Sequence, residues 1–233
     1  MKLLGLVGIA SLALFSTAWA DLTIVQKVEG SDGAHEIKMK VKGDRARVDI
    51  NPQMTTIIDS KSGEVLNLLY ENKLFVRMSA ENAKAIADAA KALVKQEGVK
   101  PGTPTATGKK EKINGYDTTE YVTDSPNFHA SYWVATTYPD YQKILEQMAI
   151  LQKGAFAGLM KDMPSYQGLP GLPLRTEVKI SGTGSIKSTI ESVSLAPLPD
   201  TDFSVPAGFN EVSVPGSLRG MQPPVPPPSG TNP

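Results

Sequence analysis

A chain of 233 residues in which 24 Lys and Arg balance 24 Asp and Glu lacks the basic excess that phosphate binding needs, which excludes nucleic acid as a partner. It contains no cysteine, so disulfides and thiolate metal sites are excluded, and a cysteine-linked lipid anchor is not expected. An ordinary apolar core must hold the fold, and a body of about 190 residues is large enough to build one.

Lys2 is the only charge before Asp21. Between them lie an apolar run from Leu3 to Phe15 and the small-x-small ending Ala18-Trp19-Ala20. This is the pattern of a secretory leader over residues 1–20, with cleavage leaving Asp21 first. The run is shorter than the roughly 20 residues of a spanning helix. The expectation is an exported protein, periplasmic or secreted, with no integral membrane segment after cleavage.

The first half reads as consecutive strands. Leu22 to Glu29 alternates imperfectly. From His35 to Lys42, Ile37, Met39 and Val41 face one way and Lys38, Lys40 and Lys42 the other. That period of two marks a sheet with one wet face. Gly43-Asp44 turns the chain, and Ala46, Val48 and Ile50 then alternate with Arg45, Arg47 and Asp49, as in a hairpin. Met54 to Asp59, Val65 to Tyr70 and Leu74 to Met78 complete a six-stranded antiparallel meander.

The period then changes. Ala83, Ile86, Ala90, Leu93 and Val94 recur at helical spacing over Glu81 to Gln96, with Ser79 as N-cap and Gly98 as the stop. Glu97 to Lys110 reads as a loop. Strands resume at Lys112-Ile113 and Tyr116 to Thr123 across Asn114-Gly115, a strong hairpin signal, followed by Phe128 to Ala135. Thr137-Tyr138-Pro139-Asp140 suggests a capped helix start, with Tyr141, Ile144, Leu145, Met148, Leu151 and Ala155 as the apolar stripe. Met163 to Pro173, rich in Pro and Gly, is expected to be neither helix nor central strand. Leu174 to Ile180 and Ser185 to Leu195 form the last strand pair, and Pro, Gly and Ser dominate from Pro215 on, which reads as a disordered tail over residues 215–233.

No motif carries chemistry. Five residues separate Gly102 from Gly108, and Lys110 follows Lys109, so the phosphate-loop pattern fails. The two histidines, His35 and His129, have no metal-ligand spacing, and no Gly-x-Ser-x-Gly elbow occurs. No enzyme, cofactor or metal is expected. Lys38, Lys40, Lys42, Arg45 and Arg47 make the most basic surface, which reads first as the wet face of a sheet. Methionines at positions 39, 54, 78, 148, 160 and 163 suit an adaptable apolar space.

Three stretches carry a family likeness: Asp21 to Val28 with the hairpin ending Gly43 to Asp49; Ile57 to Leu66 leading into Lys73 to Val76; and the closing Asp202-Phe203-Ser204-Val205-Pro206-Ala207-Gly208-Phe209. In its order of parts the chain resembles the periplasmic lipoprotein carriers of the Lol A and Lol B type. More specifically it resembles an uncharacterised bacterial family of exported proteins, the domain of unknown function numbered 4412. The likeness implies a curved antiparallel sheet closed by helices over an apolar cavity. It brings no activity, substrate or catalytic residue with it.

The expected fold is α+β: a curved antiparallel sheet of about ten strands, an incomplete β-barrel, packed against two amphipathic helices. Residues 21–214 would form one carrier-like domain. The expected function is a non-enzymatic binding protein holding a lipid, acyl chain or other apolar ligand, with Met39, Val41, Val48, Leu66, Val76 and Met148 lining the space. The alternative is a cell-envelope structural or interaction module with a solid core, meeting an envelope protein partner through its tail or basic hairpin. A hydrolase built on His35 or His129 is a third reading.

Overall fold

The computed structural model describes residues 20–31, 33–85, 102–125, 128–152, 166, 168–180 and 184–213. The leader, the Pro-rich tail, most of the first predicted helix and the end of the second lie outside the described residues. The strands are β1 (Leu22–Gly30), β2 (Gly33–Lys42), β3 (Arg45–Asn51), β4 (Met54–Asp59), β5 (Val65–Leu69), β6 (Leu74–Met78), β7 (Thr105–Ile113), β8 (Tyr116–Asp124), β9 (Phe128–Ala135), β10 (Leu172–Ile180), β11 (Gly184–Ser194) and β12 (Asn210–Glu211). They form one open sheet of twelve strands in the order β12-β6-β5-β4-β3-β2-β1-β11-β10-β9-β8-β7. Every neighbouring pair is antiparallel except β12 with β6. The result is the expected curved sheet with helices, extended to twelve strands.

The meander is aligned by its apolar face. Leu22 opposes Val41, Val41 opposes Ala46, Ala46 opposes Ile58, Ile58 opposes Val65 and Val65 opposes Met78. A slip of one residue would turn this whole row to the other side. Helix α2 (Tyr141–Met148) and the 3-10 turn Ala149–Gln152 cover the row's side of the sheet, here the inner face, with Ile144, Met148 and Ile150 in the same cluster. Register carries the inner face on through β11 and β10 to β9, because Gln26 opposes Ile190, Ser188 opposes Thr176 and Thr176 opposes Tyr132.

Several local readings hold. Asn114 and Gly115 both have positive φ, 50° and 85°, as a two-residue turn of the tight hairpin type requires. Helix α1, described over residues 80–85, starts where Ser79 Oγ accepts the Asn82 N–H at 3.2 Å.

Three readings need correction. The segment assigned to a loop up to Lys110 contains most of β7, whose residues are exposed on both faces up to Lys112 and so show no alternation. Pro173 lies inside β10; it sits at a register irregularity opposite β9, and the ladder with β11 begins only at Arg175, so the missing N–H breaks no regular pairing. The N-cap position of the second helix is Asp140, not Thr137, and its side chain makes no capping hydrogen bond. Pro139 disfavours helical backbone at Tyr138, whose ring instead packs on Tyr116 at 4.7 Å between centroids.

The outer face carries a feature the alternation did not announce. In β4 to β6, Ile57, Leu66, Leu68 and Phe75 form a second buried cluster with Phe203. The C-terminal segment after β11 lies over them as a strap. Its 3-10 turn Asp200–Phe203 inserts Phe203, and β12 then pairs with β6. The basic hairpin clamps this strap. Lys40 binds Asp202 at 2.9 Å, Lys42 donates to the Leu198 carbonyl at 2.6 Å, and Arg45 pairs with Asp200. Arg47 donates to Asp49 at 2.8 Å, to the Asp202 carbonyl at 3.0 Å and to the Tyr70 hydroxyl at 2.9 Å. Burial opposes the Arg47 charge, but Asp49 and Tyr70 outweigh it and hold the guanidinium above its ordinary pKa.

Phe203→Ala should therefore cost about 3–5 kcal/mol, the usual range for emptying a buried aromatic site, read as a lower urea midpoint. The Asp200 carboxyl is held below its usual 3.8, first by the Arg45 hydrogen bond and then by that from Lys42. Its folded pKa thus lies under its unfolded one. The stability it contributes is full above the unfolded value and is lost as pH falls through the folded value. Urea midpoints measured against pH should fall less steeply for Asp200→Asn than for the parent below about pH 4; identical slopes would refute the coupling.

Candidate apolar site on the inner face

Along the strands of the meander, the inner face changes from closed to open. The Leu22-to-Met78 row is almost wholly buried. In the next row Ile24 opposes Met39, Met39 opposes Val48, Val48 opposes Thr56, Thr56 opposes Asn67 and Asn67 opposes Val76. Ile24 and Met39 are buried there, while Val48, Thr56, Asn67 and Val76 are half-buried. The Thr56 hydroxyl donates to Asn67 Oδ1 at 2.8 Å, so the two polar side chains of this row are joined to each other. In the third row Met54, Leu69 and Leu74 lie side by side, and Leu69 is 36% exposed. Ile37 and Ile50 are half-buried as well.

Of the residues predicted to line an apolar space, Met39, Val41 and Met148 are buried in one cluster, with Val48 packed against it. Val76 shares their face by register. Leu66 does not. It opposes Ile57 and Arg77 and is buried on the outer face under the strap. The misassignment has a physical cause: Val65, Leu66 and Leu68 are all buried, because β5 has apolar cover on both sides, so its sequence gives no clean alternation. Val41 is fully buried and lies at the closed end.

Other polar groups can be placed. Glu120 is buried beneath the edge strand. The Thr107 hydrogen bond, opposed by burial and helped by Lys109, keeps its carboxyl below the ordinary range, so it is an anionic acceptor pinning β7 and not a proton donor. On β9, His129 Nδ1 lies 2.7 Å from Asp124 Oδ1, and Nε2 lies 3.3 Å from Ser131 Oγ. The order Asp–His–Ser is what an activated nucleophile needs. Ser131, however, is held in a strand paired on both sides, to Val122 and to Glu177, so the backbone N–H groups around it serve the ladders. They are not free to receive a developing oxyanion. A shallow groove of about 490 Å³ between Glu29, Glu177, Lys179 and Lys187 is lined by charges of both signs, among them a 2.7 Å bridge from Lys187 to Glu29. Among the described residues, no group of three or more His, Cys, Asp or Glu is placed to hold a metal ion, and no helix is long and apolar enough to cross a membrane.

Tyr132 was not singled out by sequence. It is fully buried on the inner face of β9 among Phe128, Ala130, Val134 and Leu169, and its hydroxyl has no hydrogen-bond partner. Burial, with a smaller contribution from Tyr166, holds its proton on far above the ordinary phenol range.

No curated protein matches the chain. Among solved structures it is similar to PNGF-II at 19% identity and a TM-score of 0.37, covering 83% of this chain and 31% of that one. The chain thus spans about a third of that protein's length. It is also similar to a putative outer membrane lipoprotein-sorting protein domain from Vibrio parahaemolyticus (12% identity, TM-score 0.32, 81% of this chain and 91% of that one). A third is a LolA superfamily protein from Nitrosomonas europaea (10% identity, TM-score 0.29, 79% and 89%). Likenesses this remote carry no argument about function. The family model described as "Domain of unknown function (DUF4412)" matches residues 22–209, from the first residue of β1 to the strap's Phe209, and the chain belongs to that family.

Proposed function

We propose that this protein is an exported, non-enzymatic carrier that holds an apolar ligand, a lipid or acyl chain, against the inner face of the sheet. The observation behind this reading is the graded floor. Apart from the hydrogen-bonded pair Thr56–Asn67, apolar side chains continue in register from the buried Leu22-to-Met78 row to the half-open row of Met54, Leu69 and Leu74. Leu69 is exposed and its neighbours Met54 and Leu74 are half-buried, a contiguous strip that an apolar ligand would remove from water. Met39, Met54, Met78 and Met148 suit such a floor, since unbranched thioethers re-pack around different chains. Met39, Val41, Val48, Val76 and Met148 are assigned to it; Leu66 is not.

In this reading residues 1–20 are removed on export to the periplasm or beyond, residues 21–214 act as one carrier domain, and residues 215–233 form a tail. The Asp124–His129–Ser131 line is then a hydrogen-bonded chain on the outer face.

The first test is mass spectrometry of organic extracts of protein purified from its native host. A lipid recovered at a substantial fraction of the protein concentration supports the carrier. Clean protein favours the alternative of a solid-cored envelope module, whose partner would then be sought by capture. The second test separates the two faces. Met39→Asp or Val48→Asp should lower uptake of the recovered lipid at least about tenfold, because a carboxylate on the floor must be desolvated by the ligand. Leu66→Ala should lower stability by about 2–4 kcal/mol and leave uptake unchanged. Equal uptake by parent and Val48→Asp would overturn the assignment of this face.

A further inference from the structure

Phenylalanine would fill the Tyr132 site without burying an unmatched hydroxyl, which is costly to leave without a partner. The surrounding polar groups of the inner face are already engaged. Ser188 donates to Gln26 at 2.9 Å, and the Tyr166 hydroxyl is bonded to Thr176, the residue directly opposite Tyr132 on β10. Tyr166 itself meets Tyr132 edge-on, with ring centroids 6.1 Å apart. Among the described residues of this part of the face, Tyr132 therefore presents the donor with nothing to donate to. It keeps its proton at all ordinary pH, so it offers a hydrogen-bond donor to a ligand that brings an acceptor such as a carbonyl oxygen.

Its position fits one kind of ligand. In the sheet order, β10, β11 and β1 separate β9 from β2. Four spacings of about 4.8 Å give about 19 Å across the strands, and register sets Tyr132 in line with His35 on β2, about 13 Å along the strand from Met39, so the path over a flat sheet is about 23 Å, which the curvature of the sheet shortens to the reach of a long acyl chain. A chain whose tail lies over Met39 and Val48 on β2 and β3 would bring its head to β9.

We propose that the Tyr132 hydroxyl is the polar anchor of the carrier site, donating a hydrogen bond to the carbonyl oxygen at the head of a bound long acyl chain, in place of the Tyr166–Leu169 cover. This rests on the carrier reading above. The acceptor can belong to a free fatty acid or to an esterified acyl group; the shared chemistry is the acyl carbonyl.

The test compares the full-length mature protein with Tyr132→Phe for binding of three probes: oleate, methyl oleate and 1-octadecene, which has the chain without the carbonyl. Tyr132→Phe should weaken a carbonyl-bearing probe about tenfold, leave 1-octadecene unchanged and raise or preserve the melting temperature. Weakening of both oleate and methyl oleate identifies an acyl carbonyl in general, and weakening of oleate alone identifies a free carboxylate. If Tyr132→Phe binds all three probes as the parent does, or loses 1-octadecene equally, the anchor is wrong while the carrier stands. If the parent binds none of the three, both are overturned.

Discussion

The fold depends on one row of side chains. Leu22, Val41, Ala46, Ile58, Val65 and Met78 sit opposite one another across β1 to β6, and no two of these strands can slide without breaking it. Because side chains alternate with a period of two, this row fixes what the other face shows. It sends Lys38, Lys40 and Lys42, and Arg45 and Arg47, outward from β2 and β3. It also sends Ile57, Leu66, Leu68 and Phe75 outward from β4 to β6, where they would meet water if nothing covered them.

The strap resolves both consequences together. Phe203 covers the apolar half of the outer face, and Asp200 and Asp202 meet the basic half. A hairpin that reads as a solvated or ligand-seeking basic surface is thereby occupied from within the chain. Exposed ion pairs contribute little individually. The contribution of these pairs is directional: they fix where the strap lies, while burial of Phe203 supplies most of the attraction. Arg47 is the member with the least freedom, since its planar fork serves Asp49, Tyr70 and the strap backbone together, an arrangement a lysine could not reproduce.

What the sequence disclosed follows from this geometry. Strands with one wet face, β2 and β3, were legible to within two residues at each end, and so were turns with a steric signature, Gly43-Asp44 and Asn114-Gly115. Elements outside that condition were not. β7 is exposed on both faces, and β5 is covered on both faces, so neither alternates, and the second misled the placement of Leu66. The partnership of the hairpin with Asp200 and Asp202 spans 155 to 162 residues and leaves no local trace. Tyr132 was invisible for a different reason. An aromatic residue in an apolar strand reads as core, and only in the folded sheet is it evident that its hydroxyl lacks a partner.

The two faces thus end in opposite states. On the outer face every apolar group of β4 to β6 has found cover in the chain itself. On the inner face α2 and its 3-10 turn cover the Leu22-to-Met78 row but leave Val48 and Val76 half-buried and Leu69 exposed. A sheet under selection only to be stable could close that end with larger side chains or with a second strap, as the outer face does. It could also exchange Tyr132 for phenylalanine. The one polar pair of the middle row, Thr56–Asn67, is joined by its own hydrogen bond. The open apolar floor and the unsatisfied hydroxyl are two separate costs on the same face, and a single amphiphilic occupant would relieve both.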